Sequence, residues 1–291
     1  MNTTAKLELR TLVRGAYDIQ MLRIQMGNRI VGNFKVKLGQ EPGKKEGDID
    51  AEGQRLLKSL RESYARLTDG VATFPRQAKF KGDGVIDTYT EFCLMAQYVE
   101  LEASEKGHFA RLGKVVEKFP IWEAFLKDVK GIGPAMAGVI ISEIDITRAR
   151  YASSLWKYAG LDVAQDGRGR SRKKEHLVKA TYTNRQGEEA ERDSITFNPF
   201  LKTKLTGVAA SSFLRAGGKY ADIYYDYKHR LENNPAHAEK TKGHRHNMAM
   251  RYAVKMFLMD LYLAWRALEG LEVSRPYHEA KLGLMHGGVA A

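Results

Sequence analysis

The sequence has a single cysteine and no long apolar run, and each shortage excludes a class of protein. Cys93 has no second cysteine to pair with, so an internal disulfide is excluded and a reducing compartment fits. The residues after Met1 lack the apolar core of a signal peptide. No uninterrupted apolar stretch approaches the roughly 20 residues that a membrane-spanning helix requires. We therefore expect a cytoplasmic protein that does not contact a membrane.

Acidic residues are also in short supply. The 291 residues include 47 Lys and Arg against 35 Asp and Glu, which gives a formal net charge of +12. Residues 151–291 hold 23 of the basic and 15 of the acidic side chains, so most of the excess lies in the second half. Because each neutralised phosphate releases counterions, such a charge favours polyanionic partners, among them double-stranded DNA. A basic protein without a nucleic-acid partner would have the same composition.

The alternation of apolar and polar residues that marks a β-strand is almost absent. The best strand candidate is His176–Tyr182. Apolar residues at helical spacing instead predict helices over Lys6–Val36, Gln54–Leu67 and much of 85–118. The sequence therefore predicts a mainly α-helical fold, with a long N-terminal helix and a separate helical domain.

The pattern divides the chain into an extended helical region at 1–118 and a second domain at 119–291. One long helix cannot bury its own apolar stripe, so the N-terminal helix needs a partner helix or a partner subunit. We therefore expect a homo-oligomer that associates through this helix.

A glycine-rich turn between two apolar segments lies within Val129–Ile144. Gly131 and Gly133 can adopt positive φ and leave their amides accessible, and Pro134 suits the first turn of a helix. Amides at a helix N-terminus form a cradle for phosphate. The pattern is typical of a helix-hairpin-helix, which holds the DNA backbone without reading bases; the alternative is an ordinary tight turn between two core helices. The residues expected to contact DNA here are Lys130, Gly131, Ile132 and Gly133.

A second basic segment, Arg168–Lys174, has five positive charges within seven residues. We expect neighbouring glycines to keep it flexible, and its charge suits a nucleic-acid backbone. A solvated loop without a ligand is the alternative. Ser171 lies among these cations, which would favour its alkoxide and make it a candidate catalytic nucleophile, although an ordinary polar loop residue is the alternative. The candidate DNA-binding residues of this segment are Arg168, Arg170, Arg172, Lys173 and Lys174.

No group of residues has the spacing of a standard metal site. Three histidines cluster near a predicted helix start, at His237, His244 and His246. Three glutamates are expected in a polar loop, at Glu188, Glu189 and Glu191. We predict neither a bound metal nor a cofactor.

The sequence Tyr-Ala-Gly-Leu at 158–161 follows the glycine-rich turn. Together with Val129–Ile144, it resembles the C-terminal domain of the Piv-like DNA invertases and related insertion-sequence transposases. The resemblance implies a DNA-binding transposase or recombinase that acts in transposition or site-specific recombination. It also implies that a structured guide RNA is a possible partner.

The sequence departs from that family in two respects. Family members begin with a RuvC-like nuclease domain that holds four metal-binding acids, and no residue of this sequence matches those positions. Their serine nucleophile stands in a Ser-Gly pair, where this chain has Asp166-Gly167, and the only serine of this loop is Ser171. We therefore expect no metal-dependent cleavage by this chain alone and a RuvC-like nuclease supplied in trans.

Two other functions fit part of the sequence. One is a non-catalytic DNA- or RNA-binding regulatory protein derived from such a transposase. The other is a repair or replication accessory factor that shares only the hairpin, although the Tyr-Ala-Gly-Leu sequence argues against it.

Overall fold

The computed structural model describes residues 3–40, 50–71 and 73–274. Within these ranges the fold is mainly α-helical with one two-stranded sheet and a long N-terminal helix, so the predicted fold class is confirmed. The α-helices are α1 (Thr3–Lys37), α2 (Ala51–Thr68), α3 (Tyr89–Val116), α4 (Pro120–Ala124), α5 (Pro134–Glu143), α6 (Ala152–Tyr158), α7 (Pro199–Thr203), α8 (Ala210–Ala216), α9 (Lys219–Glu232) and α10 (Lys242–Leu268). A π-helical segment, Lys204–Ala209, joins α7 to α8. No helix in the described ranges is long and apolar enough to cross a membrane.

One compact unit consists of Thr11–Arg111 and is built from α2 with the parts of α1 and α3 in this range. Its core joins Ile30 and Phe34 of α1 to Leu60 of α2 and to Phe92 and Met95 of α3, all of them buried. The C-terminal part of the apolar stripe of α1 therefore has partners within its own unit, whereas Met21, Leu22 and Ile24 are exposed. Self-association through α1 stays a prediction.

A carboxylate fixes the turn that precedes α3. Asp83 accepts hydrogen bonds from the Ser63 hydroxyl (2.7 Å), the Arg66 guanidinium (2.8 Å) and the amides of Val85 and Ile86 (both 3.1 Å). Burial opposes ionisation, but the hydrogen bonds outweigh it and hold the pKa of Asp83 well below its usual range. The charged form is therefore the one that stabilises this unit.

We expect Asp83→Asn to lower the free energy of unfolding at pH 7 by about 2 kcal/mol, because a charged acceptor of several hydrogen bonds is lost. A depressed folded pKa contributes stability above the ordinary aspartate pKa of about 4, and this stability is lost as pH falls through the folded value. The difference between variant and wild type should therefore shrink on acidification. Urea titrations from pH 7 to pH 2 measure it, with the exposed Asp69→Asn as control. A pH-independent difference would contradict the role of the charge.

The other compact unit consists of the described residues on either side of Thr11–Arg111. Its centre is α10, whose Phe257, Leu261 and Trp265 are fully buried. The indole N–H of Trp156 in α6 donates to the Lys255 carbonyl of α10 (3.0 Å). This contact fixes α6 against α10, so the loop that follows α6 starts from a rigid position.

The sheet is a hairpin of β1 (Val178–Thr183) and antiparallel β2 (Glu189–Ser194). The strand predicted at His176–Tyr182 is confirmed with a shift of two residues. The expectation of a polar loop is wrong for Glu189 and Glu191, which lie in β2. Most side chains of both strands are exposed on either face, so no apolar alternation marks β2. Cross-strand pairs hold the hairpin together instead, such as Lys179 Nζ with Asp193 Oδ1 at 2.9 Å.

Candidate nucleic-acid interface

The predicted hairpin is a tight turn between a 3-10 turn at Leu126–Asp128 and α5. Pro134 occupies the first turn of α5, as the sequence predicts, with Gly133 as the N-cap residue. The Ile132 amide donates to the Val129 carbonyl (3.0 Å), which closes the turn. The Ile132 side chain is buried, so it secures the turn to the core and leaves the backbone outside.

The two glycines of this turn have different roles. Gly131 has a φ of +92°, a conformation that glycine adopts without strain, whereas Gly133 has a φ of −91° and does not need to be glycine for that reason. The expected positive φ at Gly133 is therefore wrong. A Cβ on Gly131 would lie 2.9 Å from the Ser212 carbonyl group and the Phe213 nitrogen, but a Cβ on Gly133 would meet nothing within 4 Å. Gly131 packs on α8, while Gly133 faces open space.

Two exposed cations flank the start of α5. A shallow depression beside the turn is lined by Gly131, Ile132, Gly133, Ser212, Arg215 and Ala216. Arg215 is exposed at the end of α8, and exposed Lys130 lies within the turn with its stem against Gly218. An anion in this depression would meet the N-terminus of α5 and the positive charge of Arg215.

The Tyr-Ala-Gly-Leu sequence is the point where α6 ends and the basic loop begins. Gly160 has a φ of +64°, and a Cβ there would lie 2.8 Å from the Phe197 ring. Ala159 and Leu161 are fully buried, and the Tyr158 carbonyl accepts the Asn198 amide (2.8 Å). These four residues therefore have a structural role, which is to turn the chain out of α6 toward the loop.

The basic loop, here defined as residues 162–176, is closed by its own contacts. The Arg170 guanidinium pairs with Asp162 (2.8 Å), and the Arg170 amide donates to the Asp162 carbonyl (3.1 Å). Val163 and Gly169 form a β-bridge inside this closure. These contacts restrain residues 162–170, and the flexibility expected from the glycines stays a prediction. The basic side chains that remain exposed are those of Arg168, Arg172, Lys173 and Lys174, whereas Arg170 is engaged with Asp162. The acidic side chains of Asp166 and Glu175 are exposed in the same loop.

Three partly buried cations lie behind this loop: Lys202, Arg251 and Lys255. Burial lowers the pKa of each, and the pKa values of Lys202 and Lys255 are lowered further by the charge of Arg251. Asp162 is the carboxylate that opposes all three shifts. Because this carboxylate also pairs with Arg170, the region carries an excess of positive charge that an anion would relieve.

A groove runs between the basic loop and the N-terminal half of α10. Its cationic lining residues are Arg168, Lys240, Arg251 and Lys255, and His244 lies beside them. Tyr227 and Tyr252 also line it and stack on each other at 4.1 Å. No carboxylate is among the described residues that line this groove, so the charged side chains of its lining are all basic.

Two of the clustered histidines already have partners. His246 Nδ1 lies 2.6 Å from the Tyr224 hydroxyl, and His237 Nδ1 lies 2.9 Å from Lys240 Nζ. In the part of the chain that the structure describes, no three His, Cys, Asp or Glu side chains are grouped so that they could hold a metal ion.

Ser171 belongs to a chain of polar contacts inside the basic loop. Its hydroxyl oxygen lies 2.8 Å from Nδ1 of His176, and His176 Nε2 lies 3.1 Å from Asp166 Oδ2. The His176 ring is buried, whereas Asp166 is exposed and Ser171 is partly buried. A hydroxyl, an imidazole and a carboxylate in this order form the arrangement that activates nucleophiles.

Comparison with known proteins bears on this same region. Residues 123–186 match the family described as Transposase IS116/IS110/IS902 family. This match supports a relationship between this chain and the insertion-sequence transposases. The matched segment includes the hairpin, the Tyr-Ala-Gly-Leu turn and the whole basic loop. No curated protein matches the chain.

The sequence reasoning identified Ser171 but missed its two partners. It used Asp166 only as half of an Asp-Gly pair, and His176 only as the start of a strand. The available signal was the spacing Asp-x4-Ser-x4-His within eleven residues. It also missed Lys202 and Arg251, which the fold brings to the loop from distant positions.

Proposed function

We propose that this chain binds double-stranded DNA through the hairpin and the basic loop and acts in DNA transposition or site-specific recombination. The observation that carries the proposal is the excess of cations at the basic loop. Its exposed basic side chains lie next to three partly buried cations, Lys202, Arg251 and Lys255. The family match over residues 123–186 supports it from a separate direction.

The hairpin and the basic loop would bind different parts of the DNA backbone. The hairpin offers a helix N-terminus flanked by Lys130 and Arg215, which fits one phosphate at a fixed position. The basic loop and the groove beside it offer several cations in a row, which fit successive phosphates of a backbone. Both surfaces recognise charge and shape, so sequence selectivity would come from another element or from a guide RNA.

The second candidate is a regulatory protein that binds DNA or structured RNA without chemistry. A cationic groove serves either nucleic acid, and an aromatic pair at its wall is compatible with unpaired bases. Sequencing of nucleic acid that co-purifies with the protein distinguishes the two. Recovery of mobile-element ends would favour the recombination role, with a RuvC-like nuclease as the partner in trans. Recovery of structured RNA without such ends would favour the regulatory role.

The test of DNA binding uses a loop variant and a charge-matched control. Arg172→Gln with Lys173→Gln removes two exposed charges from the basic loop, and Arg76→Gln with Lys79→Gln removes two exposed charges from the other compact unit. We expect the loop variant to bind duplex DNA at least about tenfold more weakly and to lower the salt slope by about 2, one for each lost phosphate contact. Fluorescence anisotropy at several salt concentrations measures both quantities.

The control variant should bind with nearly the affinity of wild type, because its lost charges lie far from the proposed surface in sequence and in a different unit. Equal losses in both variants would show that net charge alone drives binding. That result would remove the basic loop from the proposal.

A further inference from the structure

We propose that His176, oriented by Asp166, is the general base that activates Ser171 for attack on phosphorus. The inference rests on the proposed function for its natural substrate, a nucleic-acid phosphodiester. It adds His176 as a catalytic residue and assigns Asp166, which stands where the family has its serine, as a positioning residue.

The hydrogen bonds assign the tautomer of the His176 ring. The Ser171 amide donates to Nδ1 at 3.0 Å, so Nδ1 carries a lone pair and not a proton. Nε2 therefore carries the proton and donates it to Asp166. The Ser171 hydroxyl lies 2.8 Å from the same Nδ1, so the amide and the hydroxyl share its one lone pair. The shorter contact is that of the hydroxyl, and the amide hydrogen bond breaks when the hydroxyl proton moves to Nδ1.

Asp166 is held in place as a charged acceptor. Its Oδ1 accepts the Arg168 amide at 2.9 Å, which leaves Oδ2 for His176. The Arg168 amide and the His176 hydrogen bond together lower the pKa of Asp166. An ionised carboxylate on Nε2–H stabilises the imidazolium that forms when Nδ1 takes a proton.

One backbone amide contacts the serine oxygen, and the Lys202 ammonium contacts the preceding residue. The Lys173 amide donates to Ser171 Oγ at 3.3 Å, and Lys202 Nζ donates to the carbonyl of Arg170, the residue before the serine. These groups and the adjacent Arg172 would stabilise the negative charge of the attacking oxygen and of a phosphate bound beside it.

The proposed step balances without a metal or a redox partner. The Oγ–H proton moves to Nδ1 of His176 as Oγ forms a bond to phosphorus. The bond from phosphorus to one sugar oxygen breaks, and that oxygen takes a proton from the imidazolium. The product is a phosphoserine ester and a free sugar hydroxyl, and reversal of the step rejoins the strand.

The inference can be tested without DNA, by reaction with a fluorophosphonate. This reagent offers phosphorus to an activated serine and loses fluoride, and peptide mass spectrometry identifies the modified residue. We expect labelling of Ser171 in the full chain, its loss in Ser171→Ala, and unchanged labelling in Ser153→Ala, which removes an exposed serine on α6.

Two His176 variants separate chemistry from loop structure. In the His176→Asn variant, the asparagine side-chain oxygen can accept the hydrogen bond of the Ser171 amide near the position of Nδ1. It cannot take up the proton of the Ser171 hydroxyl. We expect this variant to label at least about 100-fold more slowly, the usual contribution of a general base. We expect added imidazole to restore part of the labelling in His176→Ala, and Asp166→Asn to label more slowly with circular dichroism unchanged.

The outcomes are distinguishable from those of the DNA-binding test. Wild-type labelling rates in folded His176→Asn, or an unlabelled Ser171 in the wild type, would overturn this inference and leave DNA binding intact. Labelling that depends on His176 in a protein that fails to bind duplex DNA would support the activated serine and reject the proposed function.

Discussion

Gly131→Val is expected to lower the free energy of unfolding by more than about 3 kcal/mol. Valine is strained at a φ of +92°, which alone costs on the order of 1–3 kcal/mol. Its Cβ would also lie 2.9 Å from the backbone of Ser212 and Phe213, and backbone cannot rotate away as a side chain can. Thermal and urea denaturation of the purified variant measure the loss.

The matched variant is Gly133→Val, two residues further on. Gly133 has an ordinary φ, and its Cβ would enter open space, so we expect a loss below about 1 kcal/mol from the weaker N-cap. Because the new side chain covers the open side of the turn, this variant should remain folded yet bind DNA more weakly. A folded Gly133→Val with normal affinity would make the hairpin purely structural.

Raising the salt concentration from 50 to 200 mM is expected to weaken duplex binding by about 10³- to 10⁵-fold if 6–10 phosphates are contacted. The cause is the release of counterions when lysines and arginines neutralise phosphates. The basic loop, the groove and the hairpin together present enough cations for that number of contacts. The affinity at four or more salt concentrations gives the slope.

A structured RNA of equal length serves as the comparison in the same titration. A steeper slope and tighter binding for RNA would favour the RNA-binding alternative. An affinity for duplex DNA that stays constant across this salt range would contradict the electrostatic argument as a whole.

Local patterns in the sequence predicted the first three helices and the start of α5 well, because each depends on residues within one or two turns. The apolar spacing predicted α1 within a few residues at either end, and Pro134 marked the start of α5. Strand β2 was missed because its stabilising contacts are cross-strand pairs such as Lys179 with Asp193, and both faces of the hairpin are largely exposed.

The candidate site was predicted only in part, because its geometry depends on how the chain closes. The five cations and Ser171 were visible as a run of residues. The contact of Ser171 with His176 lies in a loop that the ion pair of Arg170 with Asp162 closes, and no local pattern predicts that ion pair. Lys202 and Arg251 reach the loop only through the packing of α7 and α10.

The closure of the basic loop has an entropic consequence for binding. Fixing the backbone of a disordered residue costs on the order of 1–2 kcal/mol. If the basic loop became ordered only on contact with nucleic acid, this cost would cancel much of the free energy of binding. The β-bridge between Val163 and Gly169 and the Arg170–Asp162 pair fix that backbone during folding. Breaking the pair should therefore weaken the capture of nucleic acid even though every exposed charge that faces it is retained.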